Sequence, residues 1–348
     1  MTPKADLPSS SPPRAVAETP QAKAAALAVR LLARDRDAVA PALNLADDQR
    51  SGERTAAREL LAALERKVLF AGAPRLGLTG APGAGKSTLM DALVRVRRAR
   101  GETVGIVAVD PSSRKSGGAL LGDRVRVRSA ANDPGVFYRS LAARDSLGGL
   151  SGAARAAVTI MAAVFDLVIV ETVGVGQSEG DVADLVDTLV FVAQPAAGDT
   201  VQFLKAGVLE LPDVIAVNKA DLGALAERTA RELESTLALG EKPDARWVPP
   251  VVLVSARDST GIAALEDAIA RHRAHLGASA ALEARRRRGR DAWLREMLSR
   301  RYGSFGVEAL GGDEALVARS AAAPDASGFA LELALSTEIE RALRGGRA

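Results

Sequence analysis

The chain has no cysteine, only two histidines among its 348 residues, four methionines and 3% aromatics. The missing thiols exclude disulfides, thiolate metal sites and a cysteine nucleophile, and fit a reducing compartment. With both histidines close together in one helical stretch, a soft-metal insertion site lacks ligands. Four methionines are too few for a Met-rich groove that binds signal sequences. Scarce aromatics leave Leu, Val and Ile to fill the core, and leave no stacking platforms beside the basic residues, so nucleic acid is not expected as a partner. No apolar run approaches the ~18 residues needed to span a bilayer, so no membrane partner is expected either. Residues 1–20 are rich in Pro, Ser and Ala without an apolar stretch; they read as a disordered tail and not a signal peptide, and a soluble cytoplasmic protein is expected.

What is present is ordinary globular composition: 47% hydrophobic, 26% charged and a formal net charge of +3. One dense basic run, Arg285 to Arg288 with Arg290, reads as a solvated helix face or a seat for an acidic protein. His272 and His275, three residues apart, read as part of a solvated helix face. Trp247 and Trp293 read as packing or interface residues.

The pattern of periodicity predicts four segments: the tail over 1–20, a helical preface over 21–70, a nucleotide-binding α/β domain over 71–277 and a helical arm over 278–348. In the preface, helices are expected over 21–35 and 52–69, with a polar break between them. In the third segment, strands are expected over 75–79, 103–110, 125–128, 167–171, 188–193, 214–218 and 251–255. Helices are expected over 86–100, 151–164, 200–209, 222–239 and 262–276. The strands are mostly continuous Val/Ile/Leu runs, as in a parallel sheet buried on both faces. The fold class expected is a doubly wound α/β domain of the P-loop NTPase kind, with helices over 282–302 and 331–344 closing the chain.

Gly80-Ala81-Pro82-Gly83-Ala84-Gly85-Lys86-Ser87 matches the phosphate cradle G-x-x-x-x-G-K-[ST] and stands between an apolar strand and an amphipathic helix that continues from Thr88. Backbone N–H groups and the helix N-terminus suit a polyphosphate. Lys86 should reach the β- and γ-phosphates, and the Ser87 hydroxyl should ligate Mg²⁺.

Base choice is signalled by Asn218-Lys219-Ala220-Asp221 at the end of a strand. A carboxylate at Asp221 accepts from guanine N1–H and its exocyclic amine, whereas adenine offers neither donor. Sites built on such bonds discriminate by ~10⁴ or more. Ser255-Ala256, ending the next strand, can bring a backbone N–H to the guanine O6. GTP and GDP are therefore the expected ligands.

Carboxylates at strand ends complete the set. Asp110 opens Asp-Pro-Ser-Ser, Asp123 follows a glycine-rich stretch, and Glu171 opens Glu-Thr-Val-Gly174. Together with Ser87 they are the expected Mg²⁺ residues, and Lys86, Asp110 and Glu171 are the candidate catalytic groups. Gly174, Gly176, Gln177 and Glu179 lie in a run glycine-rich enough to act as a switch ordered by the γ-phosphate. Gln177 lies three residues past Gly174 instead of next to it, so slow intrinsic hydrolysis is expected.

These motifs, with Asp133-Pro134-Gly135-Val136, Arg139-Ser140, Ser146 to Ser151 and the string Glu171 to Glu179, resemble the MeaB/ArgK family of GTPases from about residue 21 onward. The resemblance implies a homodimeric G protein related to the signal-recognition and metal-insertion GTPases. It implies a chaperone of adenosylcobalamin-dependent methylmalonyl-CoA mutase, with the isobutyryl- and ethylmalonyl-CoA mutases as alternative clients. It also implies low GTPase activity stimulated by that partner, switch elements from Gly174 to about Asp187, a coupling role for Lys205 and dimerisation through the C-terminal arm. Ala143-Arg144-Asp145 departs from the Thr-Arg-Gly that the family pattern carries there. A P-loop kinase, or a metallochaperone or targeting factor, are the competing classes.

Overall fold

A computed structural model describes residues 19–48, 50–110, 133–142, 149–172, 179–195, 211–239, 247–278 and 280–345. Among them, seven strands form one parallel sheet: β1 (Arg75–Thr79), β2 (Val104–Asp110), β3 (Val136–Ala142), β4 (Leu167–Thr172), β5 (Thr188–Ala193), β6 (Val214–Val217) and β7 (Val251–Leu253). Their spatial order is β3-β2-β4-β1-β5-β6-β7. Because β1 is central, the loop that follows it lies in the middle of the sheet's carboxyl edge. The strands β1, β4, β5 and β6 are buried at every position. That burial explains why their middles are apolar without alternation, which is needed only where one face meets water, and why polar residues fall at their ends.

Helices cover both faces. On one, α4 (Lys86–Ala99) packs with α8 (Ile262–Gly277) over Leu78, Ile106, Ile169 and Val190. The other face carries α5 (Gly149–Val164) and the short α6 (Glu179–Ala183). Outside α5 lies a second helical layer of α1 (Pro20–Leu32), α2 (Val39–Asp47) and α3 (Ser51–Ala71). Near β6 and β7 the sheet is covered by α7 (Ala224–Leu239). The carboxyl-terminal helices α9 (Ala281–Glu308), α10 (Gly312–Ala322) and α11 (Gly328–Gly345) close on the same side, with α9 and α11 each touching α3. One apolar cluster joins Leu60 and Leu64 of α3, Met161 of α5, Trp293 and Leu298 of α9 and Ile339 of α11. Among the described residues no helix is long and apolar enough to cross a membrane.

Three elements depart from the sequence expectation. β3 was not expected as a strand; at one edge of the sheet, it carries Tyr138, Arg139 and Ser140, which dilute the apolar signal. The helix α2 occupies part of the stretch expected as a connection, and α10 follows glycines read only as punctuation. A kink at Gly303 (φ 69°) divides α9. The expected strand over 125–128 and helix over 200–209 lie outside the described residues.

The basic run is also corrected. Arg286 is 6% exposed and forms a two-pronged ion pair with Asp187, at 2.7 Å from each carboxylate oxygen. The same guanidinium donates to the carbonyls of Val68 and Leu69 at 3.1 and 3.0 Å. Burial alone would raise the Asp187 carboxyl; the hydrogen bonds and charge of Arg286 outweigh it and hold the carboxyl below its usual range. Arg285 reaches Asp213 at 2.8 Å, and Arg290 is buried on the carbonyls of Pro324 and Ala326. Thus α9 turns the basic run inward to anchor itself, and only Arg288 of the five is classed as exposed.

His272 is likewise no solvated residue. It is 2% exposed, with Nδ1 at 2.9 Å from the Thr188 hydroxyl and Nε2 at 3.3 Å from Asp213. Burial lowers its pKa and the Asp213 carboxylate only partly restores it. Trp247 packs on both histidines, with ring centroids 4.8 and 5.3 Å away.

A second buried pair joins the helical layers. Glu65 of α3 accepts from Arg155 of α5 at 2.5 Å and from Ser327, just before α11, at 2.6 Å. Replacing Arg286 by Met removes the cation and leaves Asp187 buried without it. The expected cost is about 3–5 kcal/mol of unfolding free energy, read as a lower urea midpoint. A loss below about 1 kcal/mol would mean that the pair does not anchor α9.

Candidate functional site

At the carboxyl end of β1 the chain must turn beneath its neighbour. Gly80 adopts φ +143°, and a Cβ there would lie 2.2 Å from the Val192 carbonyl oxygen of β5. No other residue fits that turn. Ala81 is buried and Pro82 and Gly83 face outward; the Ala84 N–H then donates to the Ala81 carbonyl at 3.2 Å, and the backbone enters α4 through Gly85 at φ +88°. Lys86, Ser87 and Thr88 form the first turn of α4, so the helix N-terminus opens onto the loop.

Lys86 is 6% exposed and its ammonium folds back on the loop, donating to the Gly80 and Ala81 carbonyls at 2.7 and 3.0 Å. An ammonium that donates to backbone carbonyls at a helix N-terminus can exchange them for anionic oxygens, whose charge-assisted bonds are stronger. The Ser87 hydroxyl donates to Glu171 Oε1 at 2.6 Å. Glu171 lies opposite Leu78 in the β1–β4 register and is 5% exposed. The adjacent Thr172 hydroxyl donates to Thr79 at 3.2 Å, tying the ends of the two strands together.

A hydroxyl and a carboxylate this close form a hard-oxygen pair. Among the described residues no group of three or more His, Cys, Asp or Glu could hold a metal ion by itself. Mg²⁺ commonly takes one or two protein oxygens and completes its shell with phosphates and water, so the Ser87 and Glu171 pair fits it.

Two strands away from β1, β6 ends at Val217 and delivers Asn218, which is 3% exposed. Its side-chain amide donates to the Ala84 carbonyl of the cradle at 2.8 Å and accepts from the Ala256 N–H at 3.1 Å. A Cβ on Gly85 would stand 2.4 Å from that amide nitrogen, so the glycine is also the space that Asn218 occupies. Lys219 follows in the left-handed region at φ +61°, and its ammonium donates to Gln194 Oε1 at 2.8 Å. Asp221 accepts from the Ser255 hydroxyl at 2.8 Å on one oxygen and lies 3.1 Å from the Arg257 guanidinium on the other. The Ala220 N–H donates to Val254 O at 2.9 Å, which binds this loop to the end of β7.

The structure therefore brings together Gly80 to Thr88, Glu171, Asn218 to Asp221, Ser255 and Ala256 along one edge of the sheet. Asp110 ends β2 on the same edge, two strands from β1. Glu179 begins α6. Asp123, Gly174, Gly176, Gln177 and Lys205 lie outside the described residues. Sequence reading missed Gln194 and Arg257. Neither belongs to a motif; the only signal available was that each stands just beyond a strand end.

A family model described as "Methylmalonyl Co-A mutase-associated GTPase MeaB" matches residues 39–304. GTPase ArgK of Escherichia coli is 36% identical over 271 residues, covering 77% of this chain and 81% of the relative. The mitochondrial methylmalonic aciduria type A homolog of Mus musculus is 34% identical over 270 residues, covering 74% and 65% of the two chains. Among solved structures, one described as a LAO/AO transport system kinase superposes with TM-score 0.67 at 27% identity, covering 86% of this chain and 97% of the other.

If the Lys86 ammonium is the group that meets the phosphates, Lys86→Ala should lose GTP and GDP binding in a titration calorimeter while retaining its folded circular dichroism spectrum. Unchanged affinity would remove Lys86 from the site.

Proposed function

Because this chain belongs to the MeaB family of GTPases, we propose that it binds and hydrolyses GTP to chaperone an adenosylcobalamin-dependent methylmalonyl-CoA mutase. In that role it gates cofactor loading and protects or reactivates the mutase. The observation that carries this reading is the convergence of the Gly80 to Ser87 loop and the Asn218 to Asp221 loop on one sheet edge, in a chain whose family model names that mutase. The name of the mouse relative points to the same metabolism.

In the proposed mechanism, the cradle N–H groups and Lys86 hold the phosphates, and the ammonium exchanges the Gly80 and Ala81 carbonyls for β- and γ-phosphate oxygens. Ser87 and Glu171 would hold Mg²⁺, with Asp110 and Asp123 as further carboxylates for direct or water-mediated contact. When bound, the ion neutralises charge that develops on the phosphates. Asp221 reads guanine N1–H and N2–H, and the Ala256 backbone, positioned through Asn218, serves its O6.

Glu171 is the group through which nucleotide state reaches the rest of the chain. It touches Ser87, and the stretch that follows it carries Gly174, Gly176 and Gln177 before Glu179 opens α6. We assign this stretch, to about Asp187, as the switch, with Lys205 as a coupling residue. A γ-phosphate that orders the switch changes the surface offered to the mutase, and hydrolysis releases it. The carboxyl-terminal arm pairs two copies of the chain, and the protein works in the cytoplasm.

The proposal is tested by steady-state GTP turnover with and without purified methylmalonyl-CoA mutase. Turnover is expected to be slow alone and to rise several-fold as the mutase is titrated to saturation. Turnover that ignores the mutase, with no complex detectable in the presence of a non-hydrolysable GTP analogue, would contradict it.

A further inference from the structure

Gln194 is the first residue after β5, and β5 lies between β1 and β6 in the sheet. The loop after β1 is the phosphate cradle, and the loop after β6 carries Asn218 to Asp221. Gln194 therefore stands in the strand-end row between the two halves of the nucleotide site. The backbone there is tightly defined, since the Asn218 N–H donates to the Ala193 carbonyl at 2.8 Å and Ala193 registers with Val217.

The Lys219 ammonium reaches into this gap and donates to Gln194 Oε1 at 2.8 Å. Lys219 starts from a left-handed backbone, φ +61° and ψ +40°, which few side chains favour. Its neighbours fix that geometry: Asn218 is bonded to Ala84, and the Ala220 N–H is bonded to Val254 O. A lysine stem is long and costly to order, and Gln194 is the partner that the structure shows for its far end.

We propose that Gln194 is a positioning residue for guanine nucleotides. By accepting from Lys219 it fixes the lysine stem between cradle and base reader before the ligand arrives. A nucleoside that bridges the two loops then meets a side chain already in place, and binding does not bear the cost of ordering it. The inference rests on the assignment of Asn218 to Asp221 as the base reader. It concerns binding alone: Gln194 follows β5, on the other side of β1 from β4, which carries Glu171, so ground state and transition state gain equally from the contact.

The test measures GDP, XDP and GTP binding, and GTP turnover, for the wild type and for Gln194→Leu, Gln194→Glu and Asp221→Asn, with urea midpoints alongside. Gln194→Leu removes the acceptor. It should weaken GDP and GTP by the same factor, about 3- to 10-fold, and raise KM by that factor with kcat unchanged. Gln194→Glu retains an oxygen for the ammonium and should restore wild-type affinity, which a loss of packing alone would not predict. Asp221→Asn should exchange GDP for XDP preference, because the C2 oxygen of xanthine accepts from the new amide. If Asp221→Asn switches base while Gln194→Leu binds GDP as the wild type does, or Gln194→Glu binds as poorly as Gln194→Leu, the role of Gln194 is overturned and the base reader stands. If Asp221→Asn gains nothing for XDP, the base-reader assignment fails and the inference fails with it.

Discussion

One buried amide ties the two ends of the nucleotide site together. Asn218 donates to the Ala84 carbonyl inside the phosphate cradle and accepts from the Ala256 N–H at the end of the following strand unit. The contact exists because Gly85 has no Cβ to obstruct it, and because β1, β5 and β6 are neighbours in a parallel sheet with carboxyl ends in line. A buried amide satisfied on both sides is stiff, and breaking either bond leaves a polar group unpaired in the interior. The cradle and the loop Asn218 to Asp221 are thus one rigid construction, and Ser255, just past β7, donates its hydroxyl to Asp221 on that loop.

The opposite edge of the sheet is built differently. There Asp187, just before β5, is closed by Arg286 of α9, while Glu65, Arg155 and Ser327 join α3, α5 and the approach to α11. These charges are paired and shielded, so they fix how the outer helices sit and leave little for a ligand. At the carboxyl edge, Lys86 rests on backbone carbonyls and Asp221 on a hydroxyl and a largely exposed arginine, partners that a phosphate or a guanine edge can replace. Anchoring and function are thereby separated to the two ends of the same strands.

Local sequence carried the site better than it carried the frame. The cradle and Asn218 to Asp221 are legible because their chemistry is written in consecutive residues, and apolar runs, most of them continuous, mark six of the strands. β3 escaped because the consecutive Arg139 and Ser140 break its apolar run. The fate of the basic run could not be read locally, since Arg286 finds its carboxylate 99 residues earlier in the chain. His272 was misjudged for a similar reason: its partners Thr188 and Asp213 come from two different strand entries. The Gln194 contact with Lys219 is a product of sheet order alone.

If Asn218 joins the cradle and the Asn218 to Asp221 loop into a single site, removing its amide should weaken both halves together. Calorimetric titration of GDP and GTP into Asn218→Ser, with its urea midpoint recorded in parallel, tests it most directly. Affinity for both nucleotides is expected to fall at least about tenfold in protein that is still folded, since one side chain serves both loops. Wild-type affinity in the folded variant would contradict it.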